Sequence, residues 1–109
     1  VRKTINFLQY ANANILGVVE NMSGLVCPHC HTEIELFKKG GGAEMARAFG
    51  LEFLGAVPLD PATVVAGDLG RPVVQLDGDF PARQAFVDLA ATIAAACRSS
   101  LEAAASPCP

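Results

Sequence analysis

Two apolar runs decide how this chain folds. They are Ile15-Leu16-Gly17-Val18-Val19, closed by Glu20-Asn21, and Phe53-Leu54-Gly55-Ala56-Val57, closed by Pro58-Leu59-Asp60-Pro61. Neither run carries a polar face. Short continuous apolar runs bounded by turn-forming residues read as strands buried on both sides. Between them Ala43 to Phe49 reads as a helix, and Gly50 stands where a left-handed helix cap is favoured. Strand, helix, strand is a crossover unit, so the two strands are expected to run parallel in an α/β fold. Two such strands do not hide each other from water. More strands are expected from elsewhere in a longer chain or from a partner, which makes this part of a larger, incomplete domain.

Working outward, Arg2 to Asn12 reads as a helix, with Ile5 and Leu8 at helical spacing and a break at Asn12 to Asn14. Ser23 to Val26 and Ile34 to Phe37 flank a tip, Cys27 to His31. The alternation Glu33-Ile34-Glu35-Leu36 is that of a half-exposed strand, so a loose hairpin is expected. Lys38 to Gly42 reads as a flexible breaker and Ala62 to Ala66 as a short helix. Gly67 to Pro72 reads as a turn-rich link, and Val73-Val74 as a short extended piece. From Phe80 an alanine-rich helix is expected to run to about Ala105. The domain is drawn as residues 1–98, with 99–109 as helix end and disordered tail.

At 109 residues the chain has room for one domain. It is 51% hydrophobic and 17% charged, against about a quarter charged in ordinary soluble domains, which excludes a mainly disordered chain. With 8 basic and 11 acidic residues it lacks the basic footprint of a nucleic-acid binder. No run reaches the length of a membrane span, and Val1 to Tyr10 lacks the apolar core of a signal peptide. The expected setting is cytoplasmic, without nucleic acid or membrane as partner.

Chemistry concentrates at Cys27-Pro28-His29-Cys30. Cys97, in the alanine-rich stretch, reads as a small buried hydrophobe, and Cys108 as a passenger in the tail. Two thiolates at Cys-x-x-Cys spacing serve one metal or one disulfide. Four readings stay open. Half of a metal or iron–sulfur site, completed by a second chain, would give the usual four ligands. A dithiol redox pair needs its first cysteine at a helix start, but the residues after it alternate like a strand. A c-type haem site also fits Cys27 to His31, but attachment requires export. A structural zinc completed by His29 or His31 strains against the adjacent spacing.

The order of motifs is more specific than any one of them. ILGVVENMSGLVCPHC (15–30), GGGAEMARAFG (40–50), FLGAVPLDP (53–61) and AGDLGRPVV (66–74) follow one another. The pattern resembles the C-terminal half of the Mrp/ApbC family, iron–sulfur carrier ATPases of the MinD-like P-loop class. The resemblance implies that Cys27 and Cys30 join the same pair of a second protomer in a homodimer. Together they would hold a bridging [4Fe–4S] cluster destined for apo iron–sulfur recipient proteins. It implies that Asn21 reads the adenine of ATP, that Pro58 and Asp60 flank the base, and that Mg2+ accompanies the nucleotide. The family's phosphate-binding loop is absent here. In Lys39-Gly40-Gly41-Gly42 the lysine precedes the glycines, and Ala43-Glu44 stand where a hydroxyl is needed. This chain alone is not expected to hydrolyse ATP. The alternative is a non-catalytic zinc-binding or dithiol redox module.

Overall fold

The computed structural model describes residues 1–36 and 39–105. The chain runs α1 (Arg2–Tyr10), β1 (Val18–Glu20), β2 (Leu25–Val26), β3 (Glu33–Ile34), α2 (Gly41–Phe49), β4 (Phe53–Ala56), α3 (Pro61–Asp68), a 3-10 turn (Val73–Gln75) and α4 (Pro81–Ala105). The expected parallel pair is present: β1 lies beside β4, with Val18 opposite Phe53 and Glu20 opposite Ala56. The register slips between Val18 and Val19. β2 and β3 form a separate antiparallel hairpin, with Leu25 opposite Ile34 and Val26 opposite Glu33.

Local chemistry explains the boundaries. Asn12, at φ 56°, takes the left-handed turn that ends α1. Gly50, at φ 66° and ψ 31°, ends α2, while the Leu51 N–H returns 2.8 Å to the Ala46 carbonyl. Asp60 caps α3, its Oδ1 accepting from the Ala62 N–H at 2.9 Å, and Pro61 follows where its missing N–H costs nothing.

Three expectations are corrected. The first strand occupies 18–20 and not 15–19. Val73 and Val74 open a 3-10 turn instead of an extended piece. α2 starts at Gly41, inside the expected breaker, because the Glu20 carboxylate satisfies its first turn: Oε1 accepts from the Gly42 N–H at 3.2 Å.

The core is thin. Its buried apolar residues are Ile5, Ala46, Val57, Ala66, Val73 and Ala82, half of them alanines. Neither strand of the parallel pair is buried along its length, contrary to the double-sided burial their composition predicts. Both outer edges of the pair lack a strand neighbour among the described residues. The radius of gyration is 16.8 Å. A self-sufficient domain of this length has about 13 Å. The strands have the composition of a sheet centre without the layers that cover one. Cys97 is exposed and not buried, because α4 packs on β4 and the 3-10 turn through its earlier turns. Residues 106–109, including Cys108, lie outside the described residues, as do Phe37 and Lys38.

Two glycine substitutions test this packing in opposite directions. A Cβ on Gly42 would stand 2.8 Å from the Glu20 Cβ and 3.2 Å from the Phe53 ring. Gly42→Ala should therefore destabilise by about 1–3 kcal/mol, although alanine is the better helix former. Gly67, inside α3, meets nothing within 4 Å. Gly67→Ala should stabilise by about 0.5–1 kcal/mol. Urea unfolding of the two variants beside the wild type measures both signs.

Candidate functional site

The cysteine pair sits on the turn that closes β2 and β3. The Cys27 N–H donates to the Thr32 carbonyl at 2.9 Å, and the Cys27 carbonyl accepts from the His31 N–H at 2.9 Å. Both backbone groups of Cys27 are thus spent on holding the turn. His31, at φ 58°, supplies the left-handed residue that closes it. Cys27 is half-buried and Cys30 is exposed. No helix begins at either cysteine, so the dipole that would activate a thioredoxin-like pair is missing.

The Cys30 thiol is nevertheless held below the ordinary thiol range. Thr32 Oγ1 lies 3.3 Å from its sulfur. The Thr32 hydroxyl, the Thr32 backbone and the Cys27 thiol together bring it down to about 7. A thiolate is the form that binds metal, and it is available near neutrality without a neighbouring cation. Among the described residues no group of three or more His, Cys, Asp or Glu side chains gathers where it could hold a metal ion. The histidines of the tip do not complete a site around the two sulfurs. Among the described residues the turn gathers two sulfurs and no third such side chain.

Asn21 and Pro58 are brought together at the carboxyl ends of β1 and β4. Beyond the strands the Val57 N–H donates to the Glu20 carbonyl at 2.8 Å, and the Ser23 N–H to the Val57 carbonyl at 3.0 Å. This is the end of a parallel sheet where ligands collect. Asn21 is exposed, and its Oδ1 accepts from the Met22 N–H at 2.9 Å, which leaves the amide NH2 as the side open to a ligand. Met22 holds φ 55°, a left-handed conformation that costs a non-glycine residue about 1–2 kcal/mol.

Asp60 is used differently. One carboxylate oxygen caps α3, and the other accepts from the Ala82 N–H in the first turn of α4 at 3.1 Å. It pins two helix N-termini together, and it meets Cys27 across a groove of about 460 Å³ that also takes in Phe80 and Pro81. Asn21 and Pro58 thus follow neighbouring strand ends, while Cys27 and Asp60 line one groove.

Residues 1–94 match the family described as ParA, the NUBPL iron-transfer P-loop NTPases. The chain belongs to this family. It is 44% identical over 88 residues to an iron-sulfur cluster carrier protein of Pyrococcus furiosus, covering 81% of this chain and 30% of that one. It is 46% identical over 86 residues to the cytosolic Fe-S cluster assembly factor NUBP2 of Bos taurus, covering 79% and 31%. Among solved structures it resembles a nucleotide-binding protein of Archaeoglobus fulgidus in complex with ADP, reported with cobalt. There the TM-score is 0.57 at 29% identity, over 74% of this chain and 36% of that one. The chain spans about a third of the length of the relatives it matches. Among the described residues no helix is long and apolar enough to cross a membrane.

Two residues carry more than their sequence context announces. Thr32 sets the acidity of Cys30; its only signal is a hydroxyl two positions past the second cysteine. Glu20 joins three elements. Its Oε2 accepts from the Ser23 hydroxyl at 2.9 Å while Oε1 caps α2. Partial burial pushes its carboxyl up, but the Ser23 hydroxyl and the Gly42, Gly40 and Gly41 amides outweigh that and hold it below the ordinary carboxylate range. The contribution of the charge is present above the unfolded value and is lost as pH falls through the lowered folded one.

Two measurements follow. In the metal-free protein, alkylation of Cys30 should be half-maximal near pH 7, and Thr32→Val should move that midpoint upward, read at Cys30 by fragment-resolved mass spectrometry with Cys27 left in place. Glu20→Gln should be less stable than wild type at neutral pH. The difference should shrink as pH falls through and below the ordinary carboxylate range, where the lowered Glu20 carboxyl protonates last, as followed by urea midpoints across pH.

Proposed function

We propose that this chain is the cluster-holding part of an iron–sulfur cluster carrier. The observation that carries the reading is the Cys27–Cys30 pair on the hairpin turn, half-buried Cys27 beside exposed Cys30, with no third such side chain gathered beside it among the described residues. Two copies meeting at their hairpins supply four thiolates, the usual set for a [4Fe–4S] cluster, which here is the cargo. Release is a ligand exchange. An incoming thiol of an apo recipient loses its proton and forms a bond to iron, the bond from iron to Cys27 or Cys30 breaks, and the freed sulfur takes up a proton. No electrons are gained or lost. Two ligands per chain, one of them open to solvent, favour such stepwise replacement.

Nucleotide enters at the carboxyl ends of β1 and β4. The open amide of Asn21 reads the base edge, and Pro58 gives it an apolar wall. Asp60 acts through backbone placement of the turn, since both its oxygens are taken by helix amides. The phosphate loop and the Mg2+ site belong to a part of the full-length protein outside this sequence, and hydrolysis requires that part. The setting is the cytoplasm, as in the relatives named cytosolic. A second reading is a single transition-metal ion between the four thiolates. The cobalt reported with the archaeal neighbour favours it.

Anaerobic reconstitution of the natural full-length protein with ferrous iron and sulfide separates the two. About four irons and four sulfides per dimer are expected, with broad visible absorption. The Cys27→Ala/Cys30→Ala variant should lose both. A colourless protein that takes one metal ion per dimer and no sulfide overturns the carrier reading.

A further inference from the structure

The two hydrogen bonds that carry the sheet past β1 enclose one residue too many. The Val57 N–H donates to the Glu20 carbonyl, and the next bond, from the Ser23 N–H, returns to the Val57 carbonyl. A regular parallel ladder leaves a single residue between two such bonds, whereas Asn21 and Met22 both stand here. This is a β-bulge, a device that bends a strand end and re-aims a side chain, and bulges gather beside binding sites. It is held at a cost. Met22 takes its left-handed conformation without being a glycine, and its side chain is 49% exposed, so packing does little to keep it there. Two side-chain bonds keep it instead. Asn21 Oδ1 accepts from the Met22 N–H within the bulge, and the Glu20 carboxylate accepts from the hydroxyl of buried Ser23 across it. That carboxylate is itself fixed, because its other oxygen accepts from the Gly42 N–H at the start of α2, where a helix end favours an anion.

We propose that Glu20 and Ser23 are positioning residues for Asn21: their bond closes the bulge against α2 and holds the Asn21 amide toward the base of a bound nucleotide. The proposal rests on the reading of Asn21 as the base contact and adds what aims it. A strand that merely ends has no need to rejoin its ladder, since its last backbone groups turn to water. This one rejoins at Ser23, and so sets Asn21 and Met22 apart as a projection anchored on both sides. A glycine at position 22 would take the same turn without strain, but its freedom would loosen the direction of the amide beside it. With the bulge clamped, the Asn21 oxygen is committed and its NH2 is left for a ligand before any ligand arrives. Order set in advance is not charged against binding, which is how a residue that never touches the nucleotide raises its affinity.

The test is run on the natural full-length protein, with ATP and inorganic tripolyphosphate as probes, each with Mg2+. Tripolyphosphate has no base, so a lesion confined to base positioning leaves its binding unchanged. Ser23→Ala should raise the Kd of ATP about tenfold, the order of one hydrogen bond's worth, with that of tripolyphosphate unmoved. In an Asn21→Ala background the same substitution should cost nothing further, because the residue it aims is gone. Glu20→Asp, too short to span Gly42 and Ser23, should repeat the pattern, and it serves if Ser23→Ala does not fold. Titration calorimetry reads all the affinities. Equal weakening of ATP and tripolyphosphate, or losses that add in the double variant, overturns the inference and leaves Ser23 a structural role only. A Ser23→Ala protein that binds ATP as wild type does overturns it too. An Asn21→Ala protein with wild-type affinity for ATP overturns the nucleotide reading of Asn21 itself, and the clamp with it.

Discussion

The ladder between β1 and β4 does not stop where the strands do. The Val57 N–H reaches back to Glu20, the Ser23 N–H crosses to Val57, and the Leu59 N–H closes on the Gly24 carbonyl at 2.7 Å. Leu25 and Leu59 then sit side by side as one further parallel bridge. These bonds carry the order of the sheet past its carboxyl ends and into the base of the hairpin. Without them the segment 21–26 would be a loop with its backbone groups turned to water, and the cysteine turn would hang from it freely. With them, the strand ends that would receive a ligand and the turn that carries the thiols belong to one hydrogen-bonded body. Glu20 fastens the same body to α2, and Asp60 fastens it to α3 and α4.

Much of this was legible in the sequence because it depends on local rules. Gly50 after Phe49 and Asp60 before Pro61 have near-neighbour causes and stand where the pattern places them, and the apolar runs and the Glu33 to Leu36 alternation mark their strands, though shorter than expected, at 18–20 and 33–34. The cysteine pair and its hairpin were legible for the same reason. What escaped depends on partners distant in the chain. Glu20 and Gly42 are separated by 22 positions, as are Asp60 and Ala82, and in each case a carboxylate finds a helix amide that no local pattern predicts. The helix start at Gly41 was missed on that account, since glycines read as breakers until something caps them. The strands were expected to be buried because their composition is that of a sheet centre. The chain carries the composition without the covering layers.

The family resemblance read from the motif order agrees with the iron-transfer family that the chain matches over residues 1–94. The structure adds the division of labour among the expected nucleotide residues. Asn21 and Pro58 follow the carboxyl ends of β1 and β4, while the carboxylate of Asp60 is occupied in holding two helices. A residue expected at a ligand can thus act through the backbone it fixes.

On the proposed reading, in which Cys27 and Cys30 are half of a shared site, the law of mass action has a consequence. A protein that encloses four ligands holds its cargo with an affinity independent of its own concentration. A half-site does not. When two identical halves must meet around one cargo, the loaded species scales with the square of the concentration of free chains, and a tenfold dilution shifts the balance toward release with no change in any contact. Abundance, crowding and anything that draws two copies to one place then become controls on the load. A carrier built this way empties itself where it is scarce.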